Sequence, residues 1–314
     1  MKYFVTGGAG FIGSNYVRML LSGELGDVSS VTVIDSLTYA GKLSNLGDCI
    51  YDPRFTFIHG DIADNEIVSK HMRPDQIVVN FAAESHVDRS IINPKQFLET
   101  NILGTQNLLE VSMQTGVKLF LQVSTDEVYG SIQKGSTDEN SKLKPNSPYA
   151  ASKASADLIV RSYVKTYGID ARITRCSNNY GFNQHAEKFI PNTISKVLKN
   201  EKVPIYGDGL NVREWIHVED HCRGIDVVIK NGTAGEVYNI GSGFEITNLD
   251  LAKQILLKFN KSENDLIYVE DRKGHDFRYS LDFSKISNIG FRCQYTFKEG
   301  LSKLIEAMKK QADE

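Results

Sequence analysis

Cysteine is scarce and scattered in these 314 residues: Cys49, Cys176, Cys222 and Cys293 form neither a CxxC pair nor a Cys/His spacing suited to a metal. They read as small buried side chains in a reducing compartment, and no metal site is expected. An excess of one charge is lacking too. Lysine and arginine number 36 against 39 aspartates and glutamates, a net charge of -3, so composition offers neither a nucleic-acid-binding surface nor a basic face that would seek a membrane. Any anionic ligand has to be met by local arginines. No apolar run approaches the roughly 18 residues of a membrane span, and no basic region with an apolar signal core precedes the first strand. A soluble cytoplasmic protein is therefore expected. The length allows a substantial core and an unequal pair of lobes.

What the chain does contain starts at its first residues. Residues 2–5 are apolar and partly β-branched, which suits a buried strand, and Gly7, Gly10 and Gly13 follow at a spacing that permits a tight turn and close backbone approach. A helix from about Phe11 and Ile12 turns its unpaired N–H groups and positive dipole end towards a pyrophosphate. A second strand over 30–34 ends at Asp35, about 20 residues past the glycines, where a ribose-binding carboxylate belongs. This pattern predicts a dinucleotide site. A carboxylate there repels a 2′-phosphate and no arginine follows it closely, so NAD is expected rather than NADP.

Residues 36–54 are polar and turn-rich and suit a loop beneath the adenosine rather than a regular helix. The strand over 55–59 runs into Gly60, Asp61 and Ile62. Asp61 fits two roles, a partner for the adenine amino group or the cap of a helix beginning near Asp64. The apolar strand over 76–81 is followed by Ala82 and Ala83, small enough to admit ribose and phosphates, and then by Ser85. Residues 94–114 read as one long helix, with Thr100 and Asn101 inside it and Asn101 able to face the sheet. A further strand over 117–124 repeats the alternation of strand and helix. The implied fold is α/β, a doubly wound parallel sheet of Rossmann type with ligands at the carboxyl ends of its strands.

The strand over 117–124 ends in Ser124, Thr125, Asp126 and Glu127, a hydroxyl pair and two adjacent carboxylates where this fold places chemistry. Tyr149 and Lys153 follow, four residues apart and so on one face of a helix. A lysine ammonium beside the phenol lowers its pKa from about 10 towards the working pH, and the phenolate can take a hydroxyl proton as hydride leaves the same carbon.

These residues carry a likeness. The chain resembles the extended short-chain dehydrogenase/reductases and, among them, the dTDP-glucose 4,6-dehydratase family, over residues 2–292. The most specific marks are Thr-Asp-Glu-Val-Tyr-Gly at 125–130, Arg-Cys-Ser-Asn-Asn-Tyr-Gly at 175–181, Glu-Lys-Phe-Ile-Pro at 187–191, Tyr-Gly-Asp-Gly at 206–209, Val-Arg-Glu-Trp at 212–215 and Asp-Arg-Lys-Gly-His-Asp at 271–276. Related 4-epimerases and decarboxylases share the glycines and the Tyr/Lys pair and typically lack the Asp-Glu after the threonine. The chemistry gives an independent reason for that pair. Oxidising C4 of a hexose makes the C5 proton acidic, and water leaves from C6 if one group takes that proton while another protonates the departing hydroxyl. The resemblance implies Glu127 as the base at C5, a protonated Asp126 as the acid at C6, and Thr125, Tyr149 and Lys153 as the rest of the catalytic set. The hydride then returns to C6 and NAD is regenerated as a tightly held cofactor.

The resemblance also places Thr38, Thr100, Ser124 and Asn178 beside the cofactor. Around a nucleotide sugar it implies Ser85, Thr125, Asn178, Glu187, Lys188, Pro204, Tyr206, Arg213, Asn248, Arg272, His275 and Tyr279. Residues 203–206 suit a base, and arginines suit a diphosphate because the planar fork pairs two phosphate oxygens. The division expected is a cofactor-binding domain over 1–182, with a later strand returning around 205–240, and a nucleotide-sugar lobe mainly over 183–314. The family pairs helices like those at 94–114 and 149–167 into a homodimer, although their apolar residues can equally face the sheet. Some residues depart from the pattern. Proline and an aromatic usually follow the glycine at 181, where this chain has Phe182-Asn183-Gln184-His185-Ala186, Lys273 stands where proline is usual, and Ser242-Gly243-Phe244 also differs. A UDP-hexose therefore stays open as substrate. A 4-epimerase or decarboxylase needs no acid/base pair at C5 and C6, and a non-catalytic NAD-binding scaffold should have lost Tyr149 or Lys153.

Overall fold

The computed structural model describes residues 1–272 and 274–313, so Lys273 lies outside the described residues. In chain order the strands are β1 (Lys2–Thr6), β2 (Ser30–Asp35), β3 (Phe55–His59), β4 (Ile77–Asn80), β5 (Leu119–Thr125), β6 (Ala171–Cys176), β7 (Asn178–Tyr180), β8 (Val203–Tyr206), β9 (Val212–His217), β10 (Val237–Ile240), β11 (Glu245–Thr247) and β12 (Leu266–Val269). Seven of them form one sheet in the order β3-β2-β1-β4-β5-β6-β10, with every neighbouring pair parallel. The order reverses between β1 and β4, and a crevice opens there beyond the carboxyl ends of the strands.

Strand alternation decides the two cores. Tyr3, Val5, Val31, Val33, Val79 and Leu121 face one side, against Tyr16, Val17 and Leu20 of the helix Phe11–Leu21 and Ile225 and Val228 of the helix Val218–Asn231. Phe4, Ile34, Val78, Phe120 and Ile173 face the other, against Val68, Leu108, Leu109 and Val160. A sheet covered on both faces explains why β1, β4 and β5 read as continuous apolar runs rather than as alternating ones. Cys176 and Cys222 are buried as expected, while Cys49 and Cys293 are only half-buried.

Two glycines set the first turn. Gly7 has a left-handed backbone (φ +64°), and a Cβ there would lie 2.6 Å from the Ala82 nitrogen; a Cβ on Gly13 would lie 2.3 Å from the Gly7 carbonyl oxygen. The glycine loop and the Ala82 segment are thus packed backbone to backbone.

Three expectations change in detail. Residues 36–54 contain 3₁₀ turns over Leu43–Tyr51, broken at Gly47. The helix expected over 94–114 is helical at Pro94–Phe97 and Thr105–Thr115 but widens to a π-turn over Leu98–Gly104. Asn101 sits in that π-turn, bonded to a loop and a neighbouring helix. Its amide donates to the Glu84 carbonyl (3.0 Å) and the Ser152 hydroxyl (2.8 Å) and accepts from the Glu84 N–H (2.9 Å), so it ties the loop after β4 to the helix Pro148–Tyr167.

The remaining strands lie apart from the large sheet. β9 pairs parallel to β7 and antiparallel to β11, and β8 pairs parallel to β12. They pack with the helices Phe189–Leu198, Asn248–Leu257 and Phe297–Asp313 around Ile190, Ile194, Trp215, Leu251, Ile255 and Leu301. Within 205–240, the segment that rejoins the large sheet is β10, beside β6.

Candidate active site

The crevice at the strand-order reversal is a cavity of about 650 Å³. Gly7, Gly10, Phe11, Ile12, Gly13, Asp35, Thr38, Asp61, Ile62, Ala82, Ala83, Ser85, Thr100, Ser124, Tyr149, Lys153 and Asn178 all line it. Asp35 closes one side, its carboxylate accepting from the Ala9 N–H (2.9 Å) and the Leu37 N–H (2.8 Å). Burial raises its pKa, and those two bonds oppose the rise. The helix Phe11–Leu21 starts at Gly10 with no side-chain cap, which leaves its first N–H groups to the cavity. Asp64, not Asp61, caps the next helix by accepting from the Ile67 N–H, while Asp61 stays on the cavity wall. These features fit a dinucleotide: a cradle that any Cβ would fill, an uncapped helix start for the pyrophosphate and a carboxylate for the ribose. Asp35→Ala is expected to weaken NAD binding by about 1–3 kcal/mol, read by calorimetry, through lost charge-assisted hydrogen bonds. An unchanged affinity would place the ribose partner elsewhere.

Past the end of β5 the chain makes a single 3₁₀ turn, Asp126–Tyr129. Thr125 caps it: its hydroxyl accepts from the Glu127 N–H (3.3 Å) and donates to one Asp126 oxygen (3.2 Å). Asp126 is only 2% exposed, and its other oxygen has no hydrogen-bond partner among the described residues. Burial, then the Glu127 and Glu214 carboxylates, push its pKa far above the usual carboxylate value, against Arg213. Glu127 is raised as well, chiefly by burial, with Lys188, Arg213 and Arg272 opposing the rise. The two neighbours thus differ in surroundings, Asp126 being held as the acid and Glu127 having cations beside it.

Ser147 and Pro148 open the helix Pro148–Tyr167, the serine hydroxyl accepting from the Ala150 N–H. Tyr149 and Lys153 face the cavity one turn apart. Lys153 does not bring the phenol down as expected. Its buried ammonium donates to the Val123 carbonyl (2.7 Å). Burial, with Glu127, Cys176 and Asp126, holds Tyr149 well above its ordinary value, and the Thr125 hydroxyl opposes this.

A second cavity of about 210 Å³ adjoins the first, and Ser85, His86, Glu127, Asn178, Asn179, Gln184 and Lys188 belong to both. Glu187, Pro204, Tyr206, Arg213, Asn248, Arg272, His275 and Tyr279 line it, while Thr125 lies in the first cavity alone. The Arg272 guanidinium lies 4.5 Å from the centre of the Tyr206 ring, with its Nε 3.3 Å from Asp88 but not aligned for a hydrogen bond. Arg213 is more committed than the sequence suggests. It donates to the Val212, Asp276 and Phe277 carbonyls and covers the Tyr279 ring. Glu187 pairs with Arg89 (2.7 Å) and His86 (3.4 Å) across the mouth. Tyr279 donates to Asp276, and His275 shares a 2.7 Å contact with Asp271.

Sequence reasoning missed Tyr39, Gln96 and Glu99 in the first cavity and Phe189, Asn192 and Thr193 in the second. Asn192 follows the motif at 187–191 directly, so reading on by one residue would have reached it. Tyr39, Gln96 and Glu99 carry no such local signal.

Comparison with known proteins gives the same picture from outside. Residues 4–304 match the family described as GDP-mannose 4,6 dehydratase. A dTDP-glucose 4,6-dehydratase of Streptomyces antibioticus is 51% identical over 310 residues, covering 98% of this chain and 92% of that protein. The solved structure of DesIV, a dTDP-glucose 4,6-dehydratase from Streptomyces venezuelae with NAD and dTDP bound, superposes with a TM-score of 0.98 at 51% identity, over 100% of this chain and 98% of that one. A UDP-glucose 4-epimerase from Thermotoga maritima keeps the fold at a TM-score of 0.91 but only 31% identity, over 99% of this chain and 100% of that one. The chain therefore belongs to the family described as GDP-mannose 4,6 dehydratase and, within it, to the dTDP-glucose 4,6-dehydratases, NAD-dependent hydro-lyases of nucleotide sugars.

Proposed function

We propose that this enzyme converts dTDP-glucose into dTDP-4-keto-6-deoxyglucose, with the sugar held where the two cavities meet. The observation that carries this reading is the Asp126–Glu127 pair, two adjacent carboxyls in unequal surroundings, Asp126 raised far above its ordinary value inside the first cavity and Glu127, with cations opposing its rise, on the wall that both cavities share. NAD, when bound, supplies an acceptor for the C4 hydrogen, its return to C6, and a cationic ring that favours the Tyr149 phenolate. Tyr149 takes the proton of the C4 hydroxyl, assisted by Thr125 and Lys153. Glu127 removes the C5 proton once C4 is a ketone. Asp126 delivers its proton to the C6 hydroxyl, which leaves as water. As the hydride returns to C6, Glu127 gives its proton, exchangeable with solvent, back to C5; Tyr149 then gives up a proton and Asp126 takes one up before the next turnover.

In this reading residues 1–182 and the returning strand β10 hold NAD, and residues 183–314 mainly hold the nucleotide. Pro204, Tyr206 and Asn248 take the base. Arg213, Arg272 and His275 take the diphosphate and ribose. Ser85, Asn178, Glu187, Lys188 and Tyr279 surround the sugar and its phosphate. The protein works as a homodimer in the cytoplasm. The exposed Ile92, Leu98, Leu103, Leu158 and Tyr167 on neighbouring helices support the dimer, Ile92 being 84% exposed. Among the described residues no helix is long and apolar enough to cross a membrane.

The test is incubation with dTDP-glucose and, separately, UDP-glucose, with products identified by mass and NMR. Loss of one water from dTDP-glucose in clear preference to UDP-glucose is expected. Equal conversion of both would overturn the thymidine assignment, and a 4-epimer that keeps its C6 hydroxyl would overturn the reaction.

A further inference from the structure

Behind the two cavities lies a buried ion pair that the steps above do not use. Arg175, on β6, is 1% exposed, and its Nε donates to an Asp157 oxygen at 2.9 Å. Asp157 is fully buried on the helix Pro148–Tyr167, four residues after Lys153 and eight after Tyr149, on the same face. The other end of the Arg175 fork donates to the Tyr129 hydroxyl (2.9 Å), and the guanidinium also lies over the Tyr129 ring. Tyr129 is the last residue of the 3₁₀ turn that begins with Asp126 and Glu127. Its hydroxyl donates in turn to Asn239 (2.8 Å), which is pinned by the Thr137 and Asp282 carbonyls. None of Arg175, Asp157, Tyr129 and Asn239 lines either cavity.

One side chain thus ties the helix bearing the oxidation residues to the turn bearing the elimination residues. We propose that Arg175 is a positioning residue that fixes Asp126 and Glu127 relative to Tyr149 and Lys153, and so keeps water loss in step with oxidation at C4; this rests on the catalytic roles proposed above.

The physical case is geometric. A buried ion pair gives little net stability over well-packed apolar residues of the same volume, so it does not serve as a general source of stability here. What it provides is direction. A planar fork with one arm on Asp157 and another on Tyr129 fixes both distance and angle between the two elements, which a lysine point charge does not. The 3₁₀ turn has only four residues; its far end is held by the Lys144 N–H bond to the Val128 carbonyl and by the packing of Val128 and Tyr129 against Ala154 and Leu281, and Tyr129 is the member of that end through which Arg175 acts.

Removing Arg175 outright leaves Asp157 as an uncompensated buried charge, so the informative variants are Tyr129→Phe and Arg175→Lys. Each is assayed with whichever of dTDP-glucose and UDP-glucose the wild type dehydrates, so a failed thymidine assignment leaves the test intact. The readouts are single-turnover formation of the 4-keto sugar, solvent deuterium entry at C5, water loss, substrate KM and Tm. A misplacement of about 1 Å costs on the order of 10²-fold in a positioned step. C5 exchange and water loss should therefore fall about 10- to 100-fold in both variants, while 4-keto formation and KM stay near wild type. Equal falls in oxidation and elimination, tracking a lower Tm, would reduce Arg175 to a structural residue. Wild-type rates for both steps in Tyr129→Phe would overturn the proposal as well.

Discussion

Tyr149→Phe is expected to lower turnover by about 10²–10⁴-fold, the usual worth of a positioned proton acceptor, while NAD content and Tm stay unchanged. The ring is buried and packs edge-on to Phe97 at 6.3 Å between centroids, and a phenylalanine ring occupies the same space. The loss is then chemical rather than structural. Because C5 becomes acidic only after C4 is a ketone, this variant should show no solvent deuterium at C5 even though Glu127 is intact. The pH dependence has a definite sign. Burial and the nearby carboxylates raise the phenol, so its proton-accepting form is lost as pH falls, and the rate of C4 oxidation should decline on the acid side. A variant that still exchanges C5 would remove Tyr149 from the oxidation step.

Glu127→Gln and Asp126→Asn should block later and differ from each other. Glu127→Gln leaves oxidation possible and removes the C5 base, so C5 exchange should collapse and 4-keto-glucose should form without losing water. Asp126→Asn keeps the shape and the bond from Thr125 but has no carboxylic proton for the leaving hydroxyl. Water loss should slow by about 10²–10⁴-fold while C5 exchange survives better. The same substitution should stabilise the fold. The raised pKa means that folding favours the protonated acid, so the contribution of Asp126 to stability is fully present below the ordinary value of 3.8 and lost as pH rises through the folded value. Asparagine mimics the protonated acid at every pH. Near neutral pH, Asp126→Asn should therefore raise Tm by about 1–4 °C, as removals of a strained active-site group commonly do. A fall in Tm together with retained water loss would contradict both the protonation state and the role.

What could be read from the sequence was what lies close along the chain. Gly7, Gly10 and Gly13 with Asp35, and Tyr149 with Lys153, carry their meaning in their spacing, and each pair or triplet faces the same cavity. Asp126 and Glu127 were legible because they are adjacent. What was missed depends on burial, on a break in helix geometry or on partners elsewhere in the chain. Asn101 was read as able to face the sheet, and the π-turn in which it bonds to Glu84 and Ser152 leaves no periodic signature. The bonds that Arg213 makes to the carbonyls of residues 212, 276 and 277 were not visible in the sequence either. Lys153 was credited with lowering the Tyr149 pKa on spacing alone, whereas burial, which local sequence does not reveal, prevails. The link from Arg175 to Asp157 and Tyr129 joins residues 18 and 46 positions away, beyond any local pattern.

The central claim is that oxidation at C4, proton removal at C5 and water loss from C6 occur as one sequence in one site. Turnover of dTDP-glucose in D2O, followed by NMR of the product, tests this most directly. The account predicts a 4-keto-6-deoxy sugar nucleotide with deuterium at C5 and a methyl group free of solvent deuterium, because the C4 hydrogen returns to C6. A product with protium at C5, an intact C6 hydroxyl and an inverted C4 would contradict it, as would deuterium in the methyl group.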